Sequence, residues 1–537
     1  DVSAKGGFAL YNGSLNITNF GTKRNEMYNG TIYSDGDLSV STKKADGAYN
    51  GLGIKLGGAS ALYGSSVTLD AGRGVEIYGT VKATGNAHFK HLKTDGTYEY
   101  KPVNVSADRG NVIIKGGDVN IYGHVSSAQS NANADGSADG TEEASKGATT
   151  IEGIRGGRNT NNANYDSINK ITEGSVPDVG RFYAYRSGEY VAGKPDTQHG
   201  NGSISIEAKA ANGSQGTVNV RLGALGRGYL ESYGAIDVKA GSDIYIDSDL
   251  RAGGDITLDA PTTVLDISNI GQVDSKDFDG NDVSPEKRLH NFLNNFSTSG
   301  SNKLILQNSK GTATDAIIAA DIWDGTAYKL DKFDDKTSGG KTFIDAVNNM
   351  NVVRDGKPLG SGVVKEIARI WVADGEQLKG IQTAANSNPG ILDLNFALKN
   401  DIDMFDVKGY NSIDGYQGTF DGRGNRIIGL GINDSQTYGI FKTLGQNGHI
   451  KDVDIYNSRV EGSGAADSTG ILANENNGLI ENVHTFGNRL EIANGAGGLV
   501  GTNTGSIKDV TTSDVITADA GTAATLGGIA GVNTGGI

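Results

Sequence analysis

The chain has 537 residues, a formal net charge of −15 and 81 glycines without a Gly-X-Y period, which excludes collagen. The acidic balance disfavours nucleic acid and anionic membranes as partners, and the absence of cysteine excludes disulfides but leaves the compartment open. The sequence also lacks an apolar run of about 18 residues, so it predicts no transmembrane helix.

Residues 1–125 are predicted as rungs of a β-helix. Short β-branched runs at 37–41, 66–70 and 111–115 are bounded by Gly, Asn or Asp, which is typical of strands. Residues 75–81 and 119–125 are near-duplicates separated by 44 positions (119 minus 75). We interpret that spacing as two solenoid turns of about 22 residues each.

Residues 126–202 are predicted as an irregular insertion outside the β-helix. Its first part is almost entirely small and polar, and it lacks the apolar surface that a packed core requires. The remainder carries aromatic side chains, which offer an apolar face for gripping a sugar or a protein. They form either a contact surface or a patch that packs on the solenoid: Tyr165, Phe182, Tyr183, Tyr185 and Tyr190.

Regular rungs are predicted again over residues 203–270, followed by a second insertion over 271–368. Within it, Ser284 is a helix cap and Pro285 takes the first helical position. Apolar residues then follow at i, i+3, i+4 and i+7, namely Leu289, Phe292, Leu293 and Phe296. The pattern predicts one short amphipathic helix over residues 284–296.

Two groups of side chains are candidate metal ligands. The acidic turn formed by Asp274, Asp277, Asp279 and Asp282 has the opening of a Ca²⁺ loop but lacks the glycine and glutamate of the full motif. It predicts either a surface Ca²⁺ site or a solvated turn, and no other cofactor is expected. His88 and His91 make a weak zinc candidate because a third ligand is missing.

Residues 369–537 are predicted as further β-helix, with four repeats between 438 and 537. Each repeat carries an amide, a glycine and an isoleucine, and the isoleucines recur after 30, 27 and 30 residues. We expect the amides Gln446, Asn476, Asn503 and Asn533 to form a hydrogen-bonded ladder, and Ile450, Ile480, Ile507 and Ile537 to stack in a column. The predicted fold class is therefore all-β, a right-handed parallel β-helix with insertions.

The block at 369–433 resembles a module of large secreted bacterial adhesins, and Gly498-Leu499-Val500-Gly501 resembles a GLUG repeat. Strands such as 255–260 are similar to filamentous-haemagglutinin repeats. Together they resemble passengers of the two-partner secretion family, like filamentous haemagglutinin and the high-molecular-weight adhesins. The resemblance implies a cell-surface adhesin that acts in virulence and biofilm formation. It also implies an outer-membrane secretion partner and a glycan or protein receptor on host cells or matrix. We expect the chain to be an internal fragment.

The sequence favours a non-enzymatic role. Asp421 is interpreted as a turn residue that bonds its own backbone, since acidic residues are scattered rather than clustered. Two alternatives stay open: a carbohydrate-active β-helix lyase or glycosidase, and a matrix or surface-layer protein that associates laterally with itself.

Overall fold

The computed structural model describes residues 8–10, 15–18, 25–34, 36–42, 51–83, 85, 88–92, 98–102, 110–128, 201–210, 213–222, 228–274, 281–311, 313–331, 343–360, 366–432, 438–462, 469–492, 495–518 and 524–537. They fall into two compact units. The first comprises residues 1–317 and 349–360, and the second comprises residues 318–348 and 361–537.

Most described residues lie in strands. The chain up to residue 307 forms β1 (Phe8–Leu10), β2 (Leu15–Thr18), β3 (Asn25–Ser34), β4 (Leu38–Ser41), β5 (Ile54–Gly64), β6 (Val67–Asp70), β7 (Gly74–Ile77), β8 (Thr80–Ala83), β9 (His88–Leu92), β10 (Tyr98–Pro102), β11 (Val112–Gly116), β12 (Asp118–Ile121), β13 (His124–Ser126), β14 (Ile204–Ala208), β15 (Val218–Arg221), β16 (Tyr229–Ser232), β17 (Ile236–Lys239), β18 (Asp243–Asp247), β19 (Asp249–Ala252), β20 (Ile256–Asp259), β21 (Thr262–Asp266) and β22 (Leu304–Gln307).

The remaining strands are β23 (Asp315–Ala320), β24 (Val352–Arg354), β25 (Lys357–Pro358), β26 (Ala368–Val372), β27 (Phe396–Leu398), β28 (Ile402–Asp403), β29 (Ile413–Tyr416), β30 (Thr419–Ile428), β31 (Gly431–Ile432), β32 (Phe441–Leu444), β33 (His449–Tyr456), β34 (Arg459–Gly462), β35 (Ala473–Asn476), β36 (Leu479–Ile492), β37 (Gly495–Gly497), β38 (Val500–Asn503), β39 (Ser506–Lys508), β40 (Thr511–Ala518), β41 (Thr525–Gly527) and β42 (Ala530–Asn533). The helices are α1 (Pro285–Asn295), α2 (Phe343–Asn348) and α3 (Gly375–Ser387), with 3₁₀ turns at Ile267–Asn269 and Pro389–Asp393.

Two parallel sheets run through the first unit. In one, β7, β12, β15 and β18 pair in succession, and β8, β13, β16 and β19 pair beside them. In the other, β2, β4, β6, β11, β14, β17, β20, β22 and β24 pair in succession. The all-β class and its parallel pairing are therefore confirmed.

The core of the first unit consists of aliphatic columns. Val75, Val119, Val218 and Ile244 are partners in register, and each is at most 1% exposed. Their neighbours along each strand alternate between buried and partly exposed positions. This period of two places β-branched residues inside and polar residues outside, so a narrow column of small side chains suffices as a core.

The near-duplicate segments lie on directly paired neighbouring strands, so they are one turn of the solenoid apart, and the interpretation as two turns is wrong. One such turn is called a pass below. Val75 and Ile77 on β7 pair directly with Val119 and Ile121 on β12. The intervening chain contains β9 and β10, which pair antiparallel with each other. This hairpin lengthens a single pass, because its strands bond to each other and not to the parallel sheets.

The predicted helix is confirmed, but the expectation of a single helix is wrong. Ser284 caps α1 by accepting a hydrogen bond from the Lys287 amide at 3.2 Å, and the four predicted apolar side chains are buried. Asp374 caps α3 in the same way through the Gln377 amide at 2.8 Å. The amphipathic pattern of α3 is hard to recognise in the sequence, because two of its buried positions are occupied by the small residues Gly380 and Ala385 instead of large apolar ones.

Part of the predicted second insertion belongs to the sheets. Leu304 and Leu306 on β22 pair with Ile256 and Leu258 on β20, so the parallel sheet continues past residue 271. Val352 on β24 then pairs with Leu304. The helix and its loops therefore connect strands β20, β22 and β24, which themselves remain paired in register.

The second unit repeats the parallel arrangement. Its core column runs through residues in register on β26, β27, β30, β33, β36 and β39, which are Ile370, Phe396, Phe420, Ile450, Ile480 and Ile507. Beside it, Asp452, Asn482 and Asp509 adopt left-handed φ angles of 54°, 51° and 48°. Asp and Asn tolerate this conformation better than most side chains, so the Asx residue after each repeated charge bends the strand at the same place.

Candidate functional site

A cleft of about 530 Å³ opens on the first unit. It lies where β7 and β8 meet β12, β13 and β16, and the segment after β21 forms one wall. Its lining combines aromatic rings, glycines and a few polar groups: Gly58, Tyr78, Gly79, Thr80, Gly123, His124, Tyr229, Gln272, Val273 and Asp274. Sites for small molecules commonly enclose about 300–1,000 Å³, so the cleft has a suitable size.

Aromatic rings in the cleft stack at the spacing of neighbouring strands. The His124 and Tyr229 rings lie 4.8 Å apart with an angle of 19° between their planes. Tyr78 stacks on Tyr122 at 4.8 Å and 16°. Parallel register causes both pairs, because it places the same position of successive passes side by side. The partner of His124 on the preceding pass is Thr80, whose side chain is too short to cover a ring.

Glycines form the floor between the rings. A Cβ atom added to Gly123 would lie 2.0 Å from the Gly79 carbonyl oxygen, and one added to Gly79 would lie 2.1 Å from the Ser60 carbonyl oxygen. Only glycine allows these backbones to approach so closely.

The wall that carries Gln272, Val273 and Asp274 is held by a buried carboxylate. Asp249 accepts hydrogen bonds from the Gly271 amide at 2.9 Å, the Val273 amide at 3.1 Å and the Asp274 amide at 2.9 Å. Burial raises the pKa of Asp249, while these amides and the nearby Arg288 oppose that rise. The carboxylate thus fixes the backbone of residues 271–274, the segment that forms the wall.

An ion-pair network adjoins the aromatic rings, with Glu231 3.3 Å from His124 Nε2. The Arg251 guanidinium donates to Glu231 and to the Tyr233 hydroxyl, and it lies 3.9 Å from Asp274. Burial would raise the pKa of Glu231, but hydrogen bonding from His124 and the charge of Arg251 lower it to about 2. Glu231 is therefore a permanent anion at neutral pH, paired with a guanidinium that is only 5% exposed.

Tyr229 connects the aromatic platform to this network. Its hydroxyl donates a 3.1 Å hydrogen bond to Asp274 Oδ2. Burial raises the pKa of Tyr229, so the hydroxyl keeps its proton and remains a donor. Asp274 is consequently oriented at the edge of the cleft with its remaining acceptor capacity available.

Only two of the four predicted Ca²⁺ ligands lie among the described residues. Asp274 belongs to the cleft network and Asp282 is exposed, while Asp277 and Asp279 lie outside the described residues. Among described residues, groups of three or more His, Asp or Glu side chains that could hold a metal are absent. His88 and His91 lie on β9, and their side chains fall outside that description.

The amide ladder exists in three of the four repeats. Asn476 Nδ2 donates to Asn503 Oδ1 at 2.7 Å, and Asn503 Nδ2 donates to Asn533 Oδ1 at 2.7 Å. Gln446 is not part of the row: it is exposed, and Leu444 is the register partner of Asn476. The first repeat thus has an apolar side chain where the later repeats have amides.

Some of the remaining predicted residues take the expected positions, and others lie outside the described residues. Ile450, Ile480 and Ile507 stack in register, and Ile537 follows Gly536, whose parallel bridge partner is Ser506, with 60% of its surface exposed. Asp421 accepts from the Arg423 amide at 3.0 Å, as expected of a turn residue. The predicted contact residues Tyr165, Phe182, Tyr183, Tyr185 and Tyr190 lie outside the described residues.

Comparisons with protein-family models, curated proteins and solved structures find no match to this chain. The interpretation of the cleft therefore rests on its own residues. Within the described residues, the helices are too short or too polar to cross a membrane.

Proposed function

We propose that this chain is part of the shaft of a secreted bacterial surface adhesin, folded as a right-handed parallel β-helix. In this proposal it attaches the cell to host cells, other bacteria or biofilm matrix, after export through an outer-membrane partner. The observation that carries the proposal is the run of parallel strands in register. Such strands hold outward side chains in straight rows, and repeated weak contacts along a row add up by multivalency.

The motifs that resemble adhesin repeats support this proposal. Residues of the GLUG-like repeats take structural roles at fixed register, such as the Asn476–Asn503 hydrogen bond and the Ile480–Ile507 pair. These roles explain the repetition as a requirement of stacking. Sequence outside the ladder and column positions is then free to vary with the receptor.

The cleft chemistry favours binding over glycoside hydrolysis. A glycosidase needs a carboxylic acid whose pKa is raised so that it can protonate the leaving group. Glu231, the carboxylate next to His124, has a lowered pKa because His124 and Arg251 stabilise its charge. It holds no proton to donate at neutral pH.

Beads coated with the folded chain test the proposal. We expect them to attach to epithelial monolayers or to biofilm matrix more than beads coated with the urea-unfolded chain. In parallel, polysaccharides incubated with the chain are assayed for new reducing ends and unsaturated products, and sedimentation measures self-association. Equal attachment of both bead types refutes the adhesin; polysaccharide cleavage would favour the enzyme, and concentration-dependent polymers without attachment would favour the lattice protein.

A further inference from the structure

We propose that the aromatic cleft of the first unit is a binding site for a neutral saccharide. The proposal rests on the proposed adhesive function and names the ligand class of one site. It concerns described residues only, and its residues belong neither to the repeats nor to the tyrosine-rich insertion that the sequence suggested.

The aromatic rings provide the apolar part of such a site. A sugar ring carries C–H groups on its faces and hydroxyl groups around its rim, so it packs on an aromatic face while its edge stays polar. His124 is stacked on Tyr229 on one side, and on the other its register neighbour is the short Thr80. Tyr78 lines the cleft beside Gly58 and Gly79, stacked on Tyr122 and with the Lys55 ammonium 5.5 Å from its ring centroid. Ring surface is thus available within the cleft.

The wall provides the polar part. The Asp274 carboxylate can accept hydrogen bonds from two adjacent hydroxyl groups, and the exposed Gln272 amide can both donate and accept. Tyr229 donates to one Asp274 oxygen and so fixes the orientation of the carboxylate. Acceptors at the rim and rings beneath match the two kinds of surface that a saccharide presents.

The charge balance selects an uncharged ligand. Four carboxylates lie in or near the cleft and four cations compensate them: Glu76, Glu231, Asp249 and Asp274 against Lys55, Lys82, Arg251 and Arg288. Lys55, which lies over the Tyr78 ring, is paired with Glu76 at 3.4 Å. Arg251 and Arg288 are only 5% and 4% exposed, so neither cation is presented to a ligand. An anionic sugar would meet Asp274 first and would be repelled.

The site is also rigid before any ligand arrives. Asp249 is completely buried and binds the amides of the wall, while Arg288 on α1 lies 4.0 Å from it. Preorganisation matters because a weak, polar ligand cannot supply the free energy needed to order loops. The hydrogen bonds from three backbone amides to Asp249 hold the wall in one conformation, as expected of a preorganised binding site.

The test is a glycan array printed with neutral, sialylated and sulfated glycans, probed with the wild-type chain and three variants. His124→Ala removes the half-buried ring, and Asp274→Asn removes the negative charge while keeping the shape of the side chain. Tyr456→Ala is the matched control, since Tyr456 stacks on Phe486 at 5.0 Å in the second unit and does not line the cleft. Circular dichroism establishes that each variant is folded.

We expect wild-type binding to neutral glycans, a loss on the order of tenfold in H124A and D274N, and no change in Y456A. Binding that is confined to anionic glycans, absent for all glycans, or unchanged in both cleft variants would overturn the proposal. The bead assay separates this failure from failure of the adhesin: H124A beads that still attach leave the adhesin standing without the cleft.

Discussion

Replacing Asn503 with alanine tests the amide ladder. Asn503 is fully buried; it accepts from Asn476 Nδ2 at 2.7 Å and donates to Asn533 Oδ1 at 2.7 Å and to the Gly536 carbonyl at 3.2 Å. Asn503→Ala removes these bonds from the centre of the row. Asn533→Ala is the matched control, because Asn533 is exposed and loses only one bond to the ladder.

The expected cost follows from these contacts. Each lost hydrogen bond costs about 1 kcal/mol net, and a buried donor left without a good partner costs about 1–3 kcal/mol. Asn476 Nδ2 keeps only a 3.5 Å contact with the Ser506 carbonyl once Asn503 is truncated. We therefore expect N503A to lower the local free energy of unfolding by about 3 kcal/mol, and N533A by less than about 1 kcal/mol.

Hydrogen exchange is the appropriate assay, since repeats unfold locally and an end can open without the whole chain. A loss of about 3 kcal/mol corresponds to exchange about a hundredfold faster for peptides covering residues 495–518. Tryptophan fluorescence during urea unfolding supplements it, because Trp371 is 2% exposed and both tryptophans, at 323 and 371, lie in the second unit. Equal, small effects of N503A and N533A would refute the ladder as a stabilising feature.

Two further predictions concern the first unit. The pKa of Glu231 lies at about 2 instead of 4.5, so its charge stabilises the fold at neutral pH, and we expect about 3 kcal/mol of that stability to be lost as pH falls from about 5 to 2. Urea unfolding at several pH values measures this loss, and a Glu231→Gln variant with an undiminished acid dependence would contradict it. Gly123→Ala places a Cβ atom 2.0 Å from the Gly79 carbonyl, so we expect a loss of a few kcal/mol, seen as a lower melting temperature. An unchanged melting temperature would show that the two passes are further apart.

The sequence predicted those features that depend on repetition. The ladder residues Asn476 and Asn503, and the column residues Ile480 and Ile507, recur at the spacing of one pass, and stacking follows directly from that spacing. Gln446 failed because an insertion of two positions separates it from the true partner, Leu444. The prediction chose Gln446 because it is an amide like the asparagines of the later repeats, although its position in the strand does not match theirs.

The cleft was missed although its signal was present. The near-duplicates contain Tyr78-Gly79 and Tyr122-Gly123, and placing them on adjacent passes would have stacked tyrosine on tyrosine and glycine on glycine. The prediction assumed turns of constant length, which placed the two segments two turns apart instead of one. A hairpin that lengthens one pass has no periodic signature, since its strands bond only to each other.

The buried network could not be predicted from the sequence at all. Asp249, Arg251 and Arg288 come from a strand and a helix that approach each other only in the folded chain. Charged residues in a sequence are ordinarily assigned to the surface, where most of them lie. Their burial here depends on backbone amides after β21 that satisfy a carboxylate, which is a property of loop conformation rather than residue type.

Parallel register is the claim on which the fold, the ladder and the cleft all depend, and a disulfide tests it most directly. Asn120 and Asn219 are register partners on opposite sides of residues 129–200, with Asn219 Nδ2 donating to Asn120 Oδ1 at 3.0 Å, and the chain has no cysteine of its own. Partners on neighbouring strands lie about 4.8 Å apart, within the range a disulfide spans, whereas a cysteine at Arg221 would lie about 8 Å from position 120. We predict that Asn120→Cys with Asn219→Cys oxidises readily in the folded chain and that Asn120→Cys with Arg221→Cys does not. Preferential crosslinking of the second pair, or of neither, would contradict the register.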